Sequence, residues 1–341
     1  MSDMGVPLGE DDASASGEDR LIARYFRPLA KHPGAFALLD DAAAITPPPG
    51  CDIVLKTDSI IGGIHFLPRD PPQLIGKKAL RVNLSDLAAK AARPIGFLLA
   101  LALPEEIGDE WLAPFAQGLA ADAELFGCPL FGGDTDRTTG PIAITIAATG
   151  AVPHDKMLRR FGAQPGDRVV VTGTVGDAAL GLLLRRDAEA ARWGLGQGQR
   201  DELEARYLLP QPRCAIADLL GRYASAAMDV SDGLVGDLTK LCRVSGVTAD
   251  IEVGRVPLSQ PARVALARDP ALIETVLTGG DDYEVLASVP RANMEALRDG
   301  AAARGIPVTE IGLVLTGSAG PRVLDQSGRP LAFARPTFSH F

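Results

Sequence analysis

Short apolar runs alternate along this chain with longer stretches in which apolar residues recur every three or four positions. Ile53–Lys56, Phe97–Leu103 and Ile142–Ala148 are rich in β-formers or bounded by Gly and Pro, which predicts buried strands. Between them, Leu74–Ala92 reads as a helix, because Leu80, Leu84, Leu87, Ala88 and Ala91 share one face at about 3.6 residues per turn. Asn83, Asp86 and Lys90 run along the flank of that stripe. A second helix is predicted from about Glu110 to Leu125, stopped by Gly127 and Pro129. The turn-rich Gly162–Asp167 stands before a strand at Arg168–Thr172 and places a boundary between about Pro153 and Gly166. Beyond it, helices are predicted at Gly176–Leu184 and Leu234–Val244, and strands at Ala226–Asp229, Ala249–Val253, Tyr283–Val289 and Glu310–Leu315. Arg185–Arg200, rich in Ala, Arg and Gly, is expected to be an exposed insertion. Strands and helices mixed in both halves predict an α/β or α+β protein. Its expected domains are 17–152 and 153–341, after an opening segment, 1–16, expected to be mobile.

Composition agrees with two cores of ordinary size. Of 341 residues 46% are hydrophobic but only 5% aromatic, so the cores should be aliphatic and closely packed. The formal charge of -9 argues against a nucleic-acid surface, which would show a basic patch, and suits a site for a hard cation. Cys51, Cys128, Cys214 and Cys242 are far apart and make no C-x-x-C pair, so neither zinc nor a disulfide framework is indicated. They read as small buried residues of a reduced, cytoplasmic protein. The longest apolar run, Ile95–Leu103, is far short of the roughly 20 residues of a spanning helix, and no export signal is expected at the N-terminus.

The candidate chemistry lies in Asp-rich segments predicted at strand ends. Asp40-Asp41, Lys56-Thr57-Asp58, Gly132-Gly133-Asp134-Thr135, Asp229-Val230-Ser231-Asp232-Gly233 and Thr278-Gly279-Gly280-Asp281-Asp282-Tyr283 place Asp beside Gly, Ser or Thr, and Asp86 lies on the helix flank. Singly, each reads as an ordinary turn or helix cap, where these residue types are commonest. As a set they suit Mg²⁺, which is held by carboxylates together with substrate phosphates, if they converge on one cleft. The paired glycines add close backbone approach and N–H groups for phosphate oxygens. Asp232, before a predicted helix, is placed to cap it, to orient a metal-bound water, or both. There is no G-x-x-x-x-G-K-[ST], no G-x-G-x-x-G and no H-R-D loop, so a nucleotide would be bound through metal and backbone.

In this order the segments resemble the thiamine-phosphate kinase family of the aminoimidazole ribonucleotide synthetase-like superfamily. The resemblance runs from Gly17-Glu18-Asp19-Arg20 through Asp40-Asp41, Thr57-Asp58 with His65-Phe66, Asn83-Leu84-Ser85-Asp86 and Gly132-Gly133-Asp134-Thr135. It continues through Arg160-Phe161-Gly162-Ala163, Asp229-Val230-Ser231-Asp232-Gly233-Leu234, Gly279-Gly280-Asp281-Asp282-Tyr283-Glu284 and the terminal Phe338-Ser339-His340-Phe341. It implies a two-lobed fold, a homodimer whose N-terminal sheets pair, and ATP-dependent phosphorylation of thiamine monophosphate with several Mg²⁺ ions. By resemblance Asp41, Thr57, Asp58, Asp86, Asp134, Asp229 and Asp232 match metal ligands. Gly133, Asp134, Arg160 and Ser231 match ATP contacts, and His65, Asp281 and Phe338 match substrate contacts. Asp58, Asp86, Asp134, Arg160 and Asp229 are the expected catalytic set.

Three positions depart from that pattern. Leu38-Leu39 precede the Asp pair where the family usually has a glycine-rich lead, Lys56 stands where it has Ser or Thr, and Asp281 where it has Glu. A protonated Lys56 cannot ligate a metal. Two other readings stay open from sequence. One is a synthetase or maturation enzyme of the superfamily acting on another acceptor; the other is a non-catalytic nucleotide-binding module, against which the retained Asp cluster argues.

Overall fold

The structure, a computed structural model, describes residues 16–334. Most of the opening segment expected to be mobile, residues 1–15, lies outside that range. The chain splits into two compact units, one running to Leu84 and resuming over Arg93–His154, the other made of Ser85–Ala92 and the chain from Asp155 onward.

The first unit holds α1 (Gly17–Leu21), β1 (Cys51–Ile61), most of α2 (Pro72–Ala89), β2 (Arg93–Leu103), α3 (Asp109–Leu125), β3 (Leu130–Arg137) and β4 (Ala143–Pro153). Its four strands lie in the order β1-β4-β2-β3, with β4 antiparallel to β1 and β2, and β3 parallel to β2. Alternation decides which face is covered. Val54, Ile60, Leu99, Leu101, Ile144 and Ile146 are buried, while Leu55, Thr57, Ser59 and Leu98 point to the opposite, open face. Helices α2 and α3 cross closely through small residues: a Cβ on Gly76 would lie 2.4 Å from the Phe115 carbonyl oxygen, and one on Gly118 2.0 Å from that of Gln73. Between the same helices Arg81 forks onto the buried Asp122, with Nη2 3.0 Å from Oδ1.

Two strands run on through candidate residues that were expected at strand ends. Strand β1 continues through Thr57-Asp58 because Ser59, Ile60 and Ile61 keep pairing with Thr145, Ile144 and Ala143. Strand β3 runs through Gly132-Gly133-Asp134-Thr135 along β2, where a Cβ on Gly133 would fall 1.8 Å from the Leu99 carbonyl oxygen. Asp58 and Asp134 are therefore strand residues and not turn residues.

The second unit contains β5 (Arg168–Thr172), α4 (Asp177–Arg186), α5 (Gln197–Leu208), α6 (Ala217–Tyr223), β6 (Ala226–Asp229) and α7 (Leu234–Ser245). These are followed by β7 (Thr248–Glu252), α8 (Gln260–Arg268), α9 (Leu272–Thr278), β8 (Val285–Val289), α10 (Met294–Ala302), β9 (Val308–Leu315) and β10 (Arg322–Leu324). Its sheet order is β10-β7-β9-β5-β8-β6. Along β5, Val169 and Val171 join a core with Leu234, Leu238 and Leu241 of α7, whereas Val170 joins one with Leu219, Leu220 and Leu297 of α6 and α10. That period of two places helices on both faces.

A third core gathers Leu180, Leu203, Ala262, Ala265 and Val276 from α4, α5, α8 and α9. Ala190, Trp193 and Leu195 are buried in it, which corrects the expectation that Arg185–Arg200 is an exposed insertion. Its charged residues outnumber its large apolar ones, but Trp193 and Leu195 bring enough apolar surface to seat the segment.

Candidate active site

In the second unit two loops lie back to back. The first runs from Asp229, at the end of β6 and 4% exposed, to Gly233 before α7. The second runs from Gly279 to Glu284, between α9 and β8. The Asp281 amide donates to the Ser231 carbonyl at 2.9 Å, the Tyr283 amide to the Val230 carbonyl at 2.8 Å, and the Val230 amide to the Glu284 carbonyl at 2.7 Å. Glycine permits the approach. A Cβ on Gly280 would lie 2.2 Å from the Ser231 carbonyl oxygen, and Gly233, at φ +100°, would bring one within 2.6 Å of the Thr278 carbonyl. The Ser85 hydroxyl donates to the Tyr283 carbonyl at 3.4 Å, tying the residue beside Asp86 to the same junction. Asp86, Asp229, Ser231, Asp232 and Asp281 are thus drawn onto three linked segments.

The junction is held by a carboxylate that sequence reasoning missed. Buried Asp237, in the first turn of α7, accepts the amides of Ser231 at 3.0 Å and Asp232 at 2.9 Å through one oxygen, and Lys240 at 2.8 Å through the other. Desolvation pushes the Asp237 carboxyl above its ordinary range, against the hydrogen bond from Lys240. Burial works against the Lys240 charge as well, but its hydrogen bonds to Asp232 and Asp237 outweigh that and raise its pKa. The capping expectation for Asp232 is therefore corrected: Gly233 is the N-cap, Asp237 satisfies the loop amides, and the Asp232 carboxylate pairs with Lys240. The available signal was an Asp and a Lys three apart in the first turns of a helix.

Arg160 is exposed on a segment running beside β6, where the Ala227 amide donates to the Arg159 carbonyl at 2.9 Å. Lys90, on the flank of the α2 stripe, donates to the Ala227 carbonyl at 2.7 Å.

In the first unit the predicted residues are spread across the sheet. Asp58 pairs with Ile146, Ile146 with Leu99, and Leu99 with Gly133, so Asp58 and Gly133 occupy opposite edge strands of one register row. Three strand spacings separate them, roughly 14 Å. Neighbouring side chains alternate, so Thr57 faces the open side while Asp58 faces the covered one with Lys56. The Lys56 ammonium lies 3.0 Å from Asp58 Oδ1 and partly neutralises it. Asp134 is exposed, with one oxygen accepting the Thr135 amide at 3.0 Å.

Asp41 is exposed in the loop after Phe36, Ala37 and Leu38, whose φ values of 48°, 53° and 56° are left-handed. His65 Nδ1 accepts the Ile61 amide at 3.0 Å, closing the turn after β1 and leaving the ring hydrogen on Nε2. Phe338 lies outside the described residues.

The AIR synthase related protein N-terminal domain matches residues 39–152, and the corresponding C-terminal domain matches 164–323. A thiamine-monophosphate kinase of Caulobacter vibrioides is 40% identical over 319 residues, covering 91% of this chain and 89% of the relative. The chain belongs to the thiamine-monophosphate kinase family.

Solved members of this kinase family share its fold. The thiamine-monophosphate kinase of Stenotrophomonas maltophilia K279a superposes with a TM-score of 0.80 at 36% identity, over 94% of this chain and 98% of that one. AaThiL, complexed with AMPPCP and TMP, superposes with a TM-score of 0.74 at 30% identity, over 90% and 97%. The fold resembled at the sequence level is thus the fold observed. The donor set is all oxygen, as a hard cation requires, though Lys56 and Lys240 already engage Asp58 and Asp232. No helix among the described residues is long and apolar enough to cross a membrane.

Proposed function

We propose that this chain transfers the γ-phosphoryl group of ATP to the phosphate of thiamine monophosphate, giving thiamine diphosphate and ADP. The observation that carries the reading is the loop junction that gathers Asp86, Asp229, Ser231, Asp232 and Asp281, in a chain that matches kinases of this name along its length. The relative complexed with AMPPCP and TMP supports the same pair of substrates.

Phosphoryl transfer needs positioning and charge neutralisation more than covalent chemistry. The acceptor phosphate, with a second pKa near 6, is largely a dianion at neutral pH and needs no strong general base. Gly133, Asp134, Arg160 and Ser231 are proposed to meet ATP. Arg160, being exposed, brings a guanidinium to a phosphate oxygen without first breaking a buried pair. Asp281 and His65 are proposed to meet the acceptor, with Phe338 beyond the described residues. Asp41, Thr57, Asp58 and Asp134 in one unit, and Asp86, Asp229 and Asp232 in the other, are the proposed magnesium ligands. Magnesium, when bound, would neutralise phosphate charge and orient the phosphate oxygens. In domain terms, 17–152 is proposed to carry the ATP and metal positions of the first half, and 153–341 those of the second.

A homodimer is proposed through the open face of the first unit's sheet, where Leu55 is 77% and Leu98 46% exposed among small residues. A cytoplasmic location is proposed on the four cysteines, which form no disulfide.

The test is direct. Enzyme with ATP, Mg²⁺ and thiamine monophosphate should form ADP and thiamine diphosphate in equal amounts, with no trapped phosphoenzyme. Nucleotide binding without turnover, or turnover only with another acceptor, would overturn the reading. Light scattering of the wild type and of Leu98→Glu should give a dimer and a monomer respectively.

A further inference from the structure

The segment carrying Asp281 ends in a buried charge cluster that the proposed reaction does not use. Glu284 is 0% exposed. Its carboxylate accepts the Thr172 hydroxyl at 2.6 Å, Arg206 Nη2 at 2.5 Å and Arg213 Nε at 2.6 Å, with a second bond from Arg213 Nη2. Asp282, also buried, accepts the Gly176 amide at 2.7 Å and the Ala178 amide at 3.3 Å where α4 begins. Alternate residues turn the other way. The Tyr283 hydroxyl donates to Asp281 Oδ1 at 3.3 Å, and both residues are left-handed, at φ +71° for Asp281 and +50° for Tyr283. Non-glycine residues hold that conformation only where the surroundings over-determine it.

The cluster leaves no slack. A Cβ on Gly173, at φ +57°, would lie 2.1 Å from Glu284 Oε1 and 2.6 Å from Arg213 Nη2. A buried ion pair of this kind is rarely the most favourable filling, since apolar residues of similar volume often stabilise as well. What a bidentate guanidinium adds is fixed direction. We propose that Arg206, Arg213 and Glu284, with Asp282, are positioning residues that clamp the left-handed Asp281–Tyr283 segment and so aim the Asp281 carboxylate, with the Tyr283 hydroxyl as its immediate brace. The proposal rests on the reading that Asp281 meets the acceptor.

Arg213→Lys keeps the charge and loses the fork, Glu284→Asp keeps the charge and shortens the reach, and Tyr283→Phe removes only the hydroxyl. Each is assayed for KM toward thiamine monophosphate and toward ATP, with circular dichroism to establish folding. The clamp requires KM for the acceptor to rise about tenfold while KM for ATP stays within about twofold. Unchanged values, or parallel rises in both, overturn it. Asp281→Asn separates the two ideas. If that variant leaves the acceptor KM unchanged, the substrate reading of Asp281 has failed; if it raises KM and the clamp variants do not, the clamp has failed. Should Arg213→Lys and Glu284→Asp not fold, Arg206→Lys, which spares the bidentate Arg213–Glu284 pair, decides the clamp by the same two KM values, and Tyr283→Phe decides the brace.

Discussion

The loop junction is tight enough that one methyl group should disable it. In Gly280→Ala the new Cβ would sit 2.2 Å from the Ser231 carbonyl oxygen, whereas carbon and oxygen in contact settle at about 3.3 Å. The loops must part by about 1 Å. Two hydrogen bonds bracket that point, from Asp281 to Ser231 at 2.9 Å and from Tyr283 to Val230 at 2.8 Å. Weakening both costs about 2 kcal/mol. Alanine reduces the freedom of the unfolded chain and returns about 0.5 kcal/mol, so the net loss is roughly 1.5 kcal/mol. A 1 Å shift of the segments bearing Ser231 and Asp281 should cost activity far more, about a hundredfold in kcat/KM. Urea unfolding checks the first figure through a lower midpoint at unchanged slope, and steady-state kinetics check the second. Gly254→Ala is the control, since that glycine is exposed and a Cβ there meets nothing within 4 Å. A Gly280→Ala enzyme as stable and as active as the control would refute the account of the junction.

Three further outcomes are expected. Lys56→Met removes the ammonium 3.0 Å from Asp58 and should lower the half-saturating Mg²⁺ concentration, by up to about fivefold because the pair is partly exposed; a titration of activity against Mg²⁺ checks it. Asp122→Asn strips the buried Arg81 of its counter-charge and should lose about 3–5 kcal/mol in urea unfolding. Asp177 is buried and its pKa is raised by desolvation, against hydrogen bonds from Ser259 and Thr174. The native state then binds its proton more tightly than the unfolded chain, so its stabilising share is full below 3.8 and is lost as pH rises through the raised value. Relative to Asp177→Asn, wild-type stability should therefore fall with rising pH in that window, by about 1.4 kcal/mol per unit; parallel pH profiles would refute this.

What could be read from sequence and what could not divides along chain separation. The stripe of Leu80, Leu84 and Leu87 and that of Leu234, Leu238 and Leu241 were legible because helical burial is set by residues three and four apart, and both lie in the helices observed. The Asp-rich segments were legible as a set, and those of the second unit do meet. That β1 and β3 run on through Thr57-Asp58 and Gly133-Asp134 was not, because strand length depends on partners some 90 or 35 positions away, as Asp58 with Ile146 and Gly133 with Leu99 show. Once β1 is known to run through them, alternation sends Thr57 and Asp58 to opposite faces. Arg206 and Arg213 look like solvated charges in sequence. They are half-buried, each drawn in by a bond to the buried Glu284, 78 and 71 positions on.

The same logic reaches the departures from the family pattern. Leu38-Leu39 stand where a glycine-rich lead is expected, and the backbone at Leu38 is left-handed at φ +56°, a conformation that its side chain disfavours. Lys56 replaces a hydroxyl, and its charge is set beside Asp58 instead of being buried. Asp281 is shorter than Glu, and the segment that carries it is held from both sides, by the Val230–Ser231 carbonyls and by the cluster around Glu284. A shorter carboxylate has less freedom to search, so its backbone must be placed more closely, and this chain invests buried charge at that point.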